Sequence, residues 1–145
     1  MMYQSILVPV DGSAHSHVAV ELAAELISRP EGRVYLLNVQ PSVGNTQDLL
    51  GRAASAPAEA SEAAKSDGES LLQRAIEEAG VAPDNVEFDV KAGAPSDTIV
   101  HEAGRLGVDA IVIGSRGASR LSSLILGSVA YRVLHAADCR VVLVR

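Results

Sequence analysis

Residues 110–144 read AIVIGSRGASRLSSLILGSVAYRVLHAADCRVVLV, and this stretch decides the fold. Two short runs rich in β-branched residues, Ala110–Gly114 and Arg140–Val144, enclose a segment in which Val129, Ala130, Val133 and Leu134 recur at helical spacing. Strand, helix and strand in that order form a crossover unit. Runs that are apolar throughout, rather than alternating, belong to parallel strands covered on both faces. The crossover of such a unit is right-handed.

The same grammar extends outward along the chain. Ser5–Val10 (SILVPV) and Val34–Val39 (VYLLNV) are nearly continuous apolar runs. Val86–Val90 (VEFDV) alternates, with Val86, Phe88 and Val90 opposed to Glu87 and Asp89, which suits an edge strand with one wet face. Apolar stripes fall between the runs: Val18, Ala19, Leu22, Ala23, Leu26 and Ile27; then Leu72, Ala75, Ile76 and Ala79, stopped by Gly80; then Ile99, Val100, Ala103 and Leu106, opened by Pro95-Ser96-Asp97 and closed by Gly107. The chain therefore reads as a single doubly wound α/β domain, a parallel sheet of five strands flanked by four helices. Its 145 residues suit one core. One segment breaks the rhythm: residues 41–60, rich in Pro, Gly, Ser, Asn and Ala, are longer than an ordinary strand-to-helix connection and read as a mobile loop.

Composition narrows the partners. Aromatics make up 3% of residues with no Trp, which removes the stacking platforms of single-strand nucleic-acid binders. The net charge is −6 and Lys65 and Lys91 are the two lysines, so no basic face for nucleic acid or anionic lipid is visible. The single cysteine, Cys139, permits no internal disulfide and reads as a buried, inert thiol at a strand entry, as in the reducing cytoplasm. The N-terminus lacks a basic signal-peptide region, and no apolar stretch approaches the roughly 20 residues of a membrane span.

Ligands of open parallel sheets bind beyond the carboxyl ends of the strands, where the strand order reverses. Two segments carry suitable chemistry. One is Val8-Pro9-Val10-Asp11-Gly12-Ser13 after the first strand; the other is Gly114-Ser115-Arg116-Gly117 after the fourth. An order of 3-2-1-4-5 would make those strands neighbours and turn both segments into one crevice. Gly114 and Gly117 let backbone N–H groups turn toward an anion. Nine residues later Gly127-Ser128 opens the last helix, whose first-turn N–H groups and partial positive charge suit a phosphate. Arg116 and Arg120 could add charge between these elements. Asp11 either accepts from ribose hydroxyls or, with Ser13, competes to cap the first helix. Val39, ending the second strand, is placed to offer backbone groups to an adenine edge. His15, His17, His101 and His135 read as surface histidines without metal spacing. Neither a G-x-x-x-x-G-K-[ST] segment nor a G-x-G-x-x-G after the first strand occurs, and no catalytic lysine or placed base is apparent.

These segments resemble the universal stress protein family, and the likeness runs through almost the whole chain: ILVPVDGS, LLNV, and IVIGSRGASRLSSLILGSVAYRVLHAADCRVVLVR. Gly114-x-x-Gly117, nine residues, then Gly127-Ser128 matches the phosphate motif of its nucleotide-binding branch. The resemblance implies five parallel strands ordered 3-2-1-4-5 and a ligand that is ATP, or AMP or ADP. It implies that Pro9, Val10 and Asp11 hold base and ribose and that the Val39 backbone meets adenine. Ile113 would line the pocket, and Gly114, Gly117, Gly127, Ser128 and Val129 would surround the phosphates, which would carry any Mg or Mn. It also implies a homodimer through the last strand, residues 140–144, whose apolar edge invites pairing in its own right. Arg140 departs from the proline common at that position in relatives. The function expected is a stress-response module that exposes its nucleotide state to a regulatory protein partner; a slow ATPase or nucleotide-transferring enzyme, and a nucleotide-free dimeric scaffold, are the alternatives.

Overall fold

The computed structural model describes residues 2–42, 58–116 and 126–145. In chain order the elements are β1 (Ser5–Pro9), α1 (Ala14–Leu26), β2 (Arg33–Gln40), β3 (Ala58–Glu59), α2 (Glu62–Ala79), a single 3-10 turn (Pro83–Asn85), β4 (Val86–Ala92), α3 (Pro95–Leu106), β5 (Ala110–Gly114), α4 (Ser128–Ala136) and β6 (Arg140–Val144). The sheet runs β3-β4-β2-β1-β5-β6. The five strands read from sequence are parallel and stand in the expected 3-2-1-4-5 order. The added strand is β3, two residues at the end of the expected 41–60 loop, antiparallel to β4. Lys91 of β4 holds it there by donating to Glu59 at 3.1 Å. Residues 43–57 of that loop lie outside the described residues.

β1 and β5 occupy the middle because their side chains have nowhere wet to go: Ile6, Leu7, Val8 and Ala110 to Val112 are all fully buried. Alternate residues feed two cores. On one face Ile6, Val8, Val34 and Leu36 meet Ala19, Val20 and Ala23 of α1 and Leu72 and Ala75 of α2. On the other, Leu7, Leu37, Ile111 and Ile113 meet Ile99 and Ala103 of α3 and Ala130 and Val133 of α4. Gly80 (φ 64) and Gly107 (φ 63) end α2 and α3 in the left-handed region, as their positions in sequence required. β6 begins at Arg140, paired with Ala110, so the arginine does not disturb the strand entry.

Three sequence expectations shift. The buried side of α1 is Ser16, Ala19, Val20, Ala23 and Ala24, leaving Val18 exposed, because the helix sits rotated by about one residue from the apolar stripe. Ile27 lies beyond the helix and bridges Tyr3. Phe88 packs against neither core and is 37% exposed, because its strand has only the two-residue β3 outside it and α2 presses on β4 at Val90 instead. On α4, Leu134 points outward and burial rests on Ala130 and Val133.

Among the described residues one charged side chain is buried. The Glu102 carboxylate of α3, 3% exposed, accepts from Arg105 Nε at 2.9 Å and from its terminal nitrogen at 2.8 Å. Those bonds hold it below the usual glutamate range, against the opposing effect of burial. A carboxylate whose value is lowered by folding contributes stability above its unfolded value, and that stability fades as pH falls through the folded one. Glu102→Gln should therefore cost on the order of 1 kcal/mol at neutral pH, with half-exposed Arg105 limiting the loss. Urea melts should show the gap between variant and parent closing as pH falls below 4.5.

Candidate functional site

The two loops that the sequence singled out meet where β1 and β5 lie side by side. β1 stops at Pro9, which has no N–H to continue a ladder, and Val10 N donates to Leu37 O at 2.8 Å as the last main-chain link to β2. Gly12 then turns the chain at φ 86, a conformation that other residues rarely adopt. Ser13 caps α1: its hydroxyl accepts from Ser16 N at 3.2 Å, and Ser16 Oγ donates to Ser13 O at 2.9 Å. Asp11 Oδ1 accepts from Ser13 N at 2.9 Å. The choice between Asp11 and Ser13 as cap is thus resolved, with Ser13 capping and Asp11 held at the cavity rim.

At the end of β5 the backbone of buried Ser115 joins three elements. Its N–H donates to Val144 O of β6 at 2.7 Å, and its carbonyl accepts from Gly127 N at 2.6 Å. The second bond seats the start of α4 beside Gly114–Arg116. Gly127 is the N-cap residue and has no side chain to offer, so no side-chain cap meets the first turn of α4 among the described residues. The first helical bond runs from Tyr131 N to Gly127 O at 2.9 Å. Ser128, Val129 and Ala130, whose N–H groups precede that bond, line the cavity, and a helix start at a cavity favours an anion.

The cavity has a volume of about 280 Å³, toward the small end of ligand sites. Leu37, Val39, Ile99 and Ile113 give it apolar walls, and Asp11, Ser13, Arg116 and Ser128 stand among its polar lining. Of the predicted site residues, Pro9, Val10, Asp11, Val39, Ile113, Gly114, Arg116, Gly127, Ser128 and Val129 all line this one cavity. Gly117 and Arg120 lie outside the described residues. The sequence reading missed Ser115, whose role is entirely backbone and leaves no side-chain signal. It also missed Ile99 and Pro95 of α3, apolar residues whose helix had to be placed before they could be seen as walls. Among the described residues no group of three His, Cys, Asp or Glu side chains could hold a metal ion, and no helix is long and apolar enough to cross a membrane.

The first two histidines are not the exposed residues expected. His15 is half-buried because the first turn of α1 lies on Gly114, and its buried Nδ1 has no hydrogen-bond partner among the described residues. His17, also half-buried, pairs with Glu78 of α2. His101 and His135 are exposed, the first beside Glu102 and the second against the Tyr131 ring at 4.4 Å. Cys139 is half-buried rather than fully buried, and burial pushes its thiol above the usual range.

The sequence profile of the Universal stress protein family matches residues 2–145. The chain belongs to the universal stress protein family. Universal stress protein YxiE of Bacillus subtilis is 32% identical over 149 residues, covering 99% of this chain and 100% of that one. Universal stress protein G of Escherichia coli O157:H7 is 33% identical over 146 residues, covering 99% and 100%. Among solved structures, the universal stress protein from Archaeoglobus fulgidus in complex with dAMP superposes with a TM-score of 0.63 at 25% identity, over 100% of both chains.

In this universal stress protein the approach of α1 to β5 leaves no room at Gly114. A Cβ there would lie 2.7 Å from His15 Cβ and 3.1 Å from the His15 carbonyl carbon. Gly114→Ala should lower the unfolding free energy by about 1–3 kcal/mol, read as a lower thermal midpoint; an unchanged midpoint would show that α1 does not rest on Gly114.

Proposed function

We propose that this universal stress protein binds an adenine nucleotide, ATP or else AMP or ADP, in the crevice between β1 and β5, and acts as a regulatory module rather than as a catalyst. The observation that carries the reading is the start of α4, which has no side-chain cap among the described residues and is fastened by Ser115 beside Gly114–Arg116 at the mouth of an apolar slot. A helix start without its own cap has N–H groups to give, and a phosphate is the anion that uses several at once. The relative solved with dAMP supports the same ligand class.

In this reading Ile113 and the backbone of Val39 bound the base, with Pro9 and Val10 beside it. The Asp11 carboxylate accepts from the ribose hydroxyls. Gly114, Arg116, Gly117, Gly127, Ser128 and Val129 surround the phosphates. A divalent ion, Mg or Mn, would ride on the phosphates rather than on a protein ligand set. Occupancy of the crevice would be signalled to a protein partner in the cytoplasm. The functional unit would be a homodimer through β6, an edge strand that carries Leu143 37% exposed and pairs with β5 alone among the described strands.

Ser128→Asp tests the phosphate assignment without attacking the fold, because a carboxylate in the first turn of a helix favours the helix while repelling an anion. Titration calorimetry should show ATP binding to the parent at or below millimolar concentration. The variant should bind about tenfold or more weakly, a loss of ~1.4 kcal/mol or greater, with an unchanged or higher melting midpoint. Equal affinity in parent and variant would remove the phosphates from α4; absence of binding to the parent would remove the nucleotide altogether.

A further inference from the structure

Asn38 is a polar residue in the buried middle of β2, and it is 4% exposed. Its side chain points to the α1/α2 face, away from the cavity walls, where α2 comes so close that a Cβ on Gly68 would lie 2.8 Å from Asn38 Oδ1. Both ends of its amide are engaged. Nδ2 donates to Val10 O at 2.9 Å, and Oδ1 accepts from Gln40 Nε2 at 2.5 Å, which fixes the amide with its donor toward β1.

The Val10 carbonyl is where the ladder between β1 and β2 should have continued. The backbone groups of a strand face alternate neighbours. Leu37 O faces β1, since it accepts from Val10 N, and Gln40 O faces the far side, since it accepts from Gly93 N at 3.0 Å. Val39 therefore presents its N–H and C=O toward β1. In an uninterrupted parallel ladder the next bond after Val10 N to Leu37 O would run from Val39 N to Val10 O. That bond is not among the main-chain bonds of these residues, and the Asn38 amide occupies the Val10 carbonyl in its place.

We infer that Asn38 is a positioning residue of the nucleotide site: its side chain takes over the Val10 carbonyl, ends the β1–β2 ladder one step early, and leaves the Val39 main chain open to the edge of a base. The inference rests on the nucleotide reading above and deepens it, since it explains how a strand interior can spare an N–H and a carbonyl for a ligand. The chemistry it selects is a planar heterocycle with a donor and an acceptor on adjacent edge positions. The phosphates are not involved. With Asn38 shortened to Ala, the cheapest repair for Val10 O is the missing ladder bond, which consumes the Val39 N–H and closes the slot.

The test is affinity of the parent and of Asn38→Ala for adenosine, AMP and ATP, read beside amide hydrogen exchange at Val39. The parent should show a rapidly exchanging Val39 amide next to a protected Leu37, and the variant a protected Val39. The variant should lose affinity for all three ligands by a similar factor, about tenfold, whereas Ser128→Asp should spare adenosine. Asn38→Asp, which keeps the shape but not the donor, should follow Asn38→Ala and serves if the latter does not fold. A protected Val39 amide in the ligand-free parent overturns the inference whatever the variants do. So does unchanged affinity in a folded variant, or a loss that grows with phosphate number. Failure of the parent to bind any of the three would instead overturn the nucleotide reading, and the exchange pattern at Val39 would then decide by itself whether Asn38 ends the ladder.

Discussion

The pairing of β1 with β5, Ile6 against Ala110 and Leu7 against Ile111, is the contact on which the rest of this structure depends. The two strands are parallel neighbours, yet the helices that follow them leave to opposite faces of the sheet, α1 to one core and α4 to the other. Chains that part in this way cannot close over the strand ends. A crevice must form there, lined by whatever residues happen to leave each strand. Everything else in the site refines that opening: Pro9 and Gly12 turn the first chain aside, Ser115 pins the start of α4 beside the second, and Asn38 keeps β1 from zipping further onto β2.

The helix starts show the same economy of means. α1 and α2 are capped by the hydroxyls of Ser13 and Ser61, which engage one first-turn N–H of each, Ser16 N and Ala64 N. α3 and α4, which lie together on the cavity side, have Ala94 and Gly127 at their N-caps and no side-chain cap among the described residues. α3 begins with Pro95, which removes one donor from its first turn. α4 has no side-chain cap among the described residues, and its start lines the cavity and follows the glycine-rich segment.

Much of this was legible in the chain. Near-continuous runs such as SILVPV and AIVIG require cover on both faces, and Gly80 and Gly107 mark where helices must stop, so layer order and helix ends follow from local chemistry. Ten of the named site residues line one cavity because a strand end and a helix start are both visible in sequence. What escaped was set by neighbours distant in the chain. Val18 looks like a stripe residue until the roll of α1 is known. His15 looks wet until Gly114 is found beneath it. Phe88 belongs to an alternating pattern, but the pattern says nothing of how far α2 reaches along β4. Asn38 did leave a signal, an amide in the middle of VYLLNV, which a count of apolar residues passes over.

The central claim is that a nucleotide enters the crevice with its phosphates on the first turn of α4 and its base beside Val39. Amide chemical-shift mapping tests it most directly, with ATP and adenosine added separately to the labelled protein. The account predicts that both ligands move the Val39 and Ile113 amides, and that ATP alone moves those of Ser128, Val129 and Ala130. Shifts from ATP that avoid the start of α4, or that gather at another surface, would contradict it.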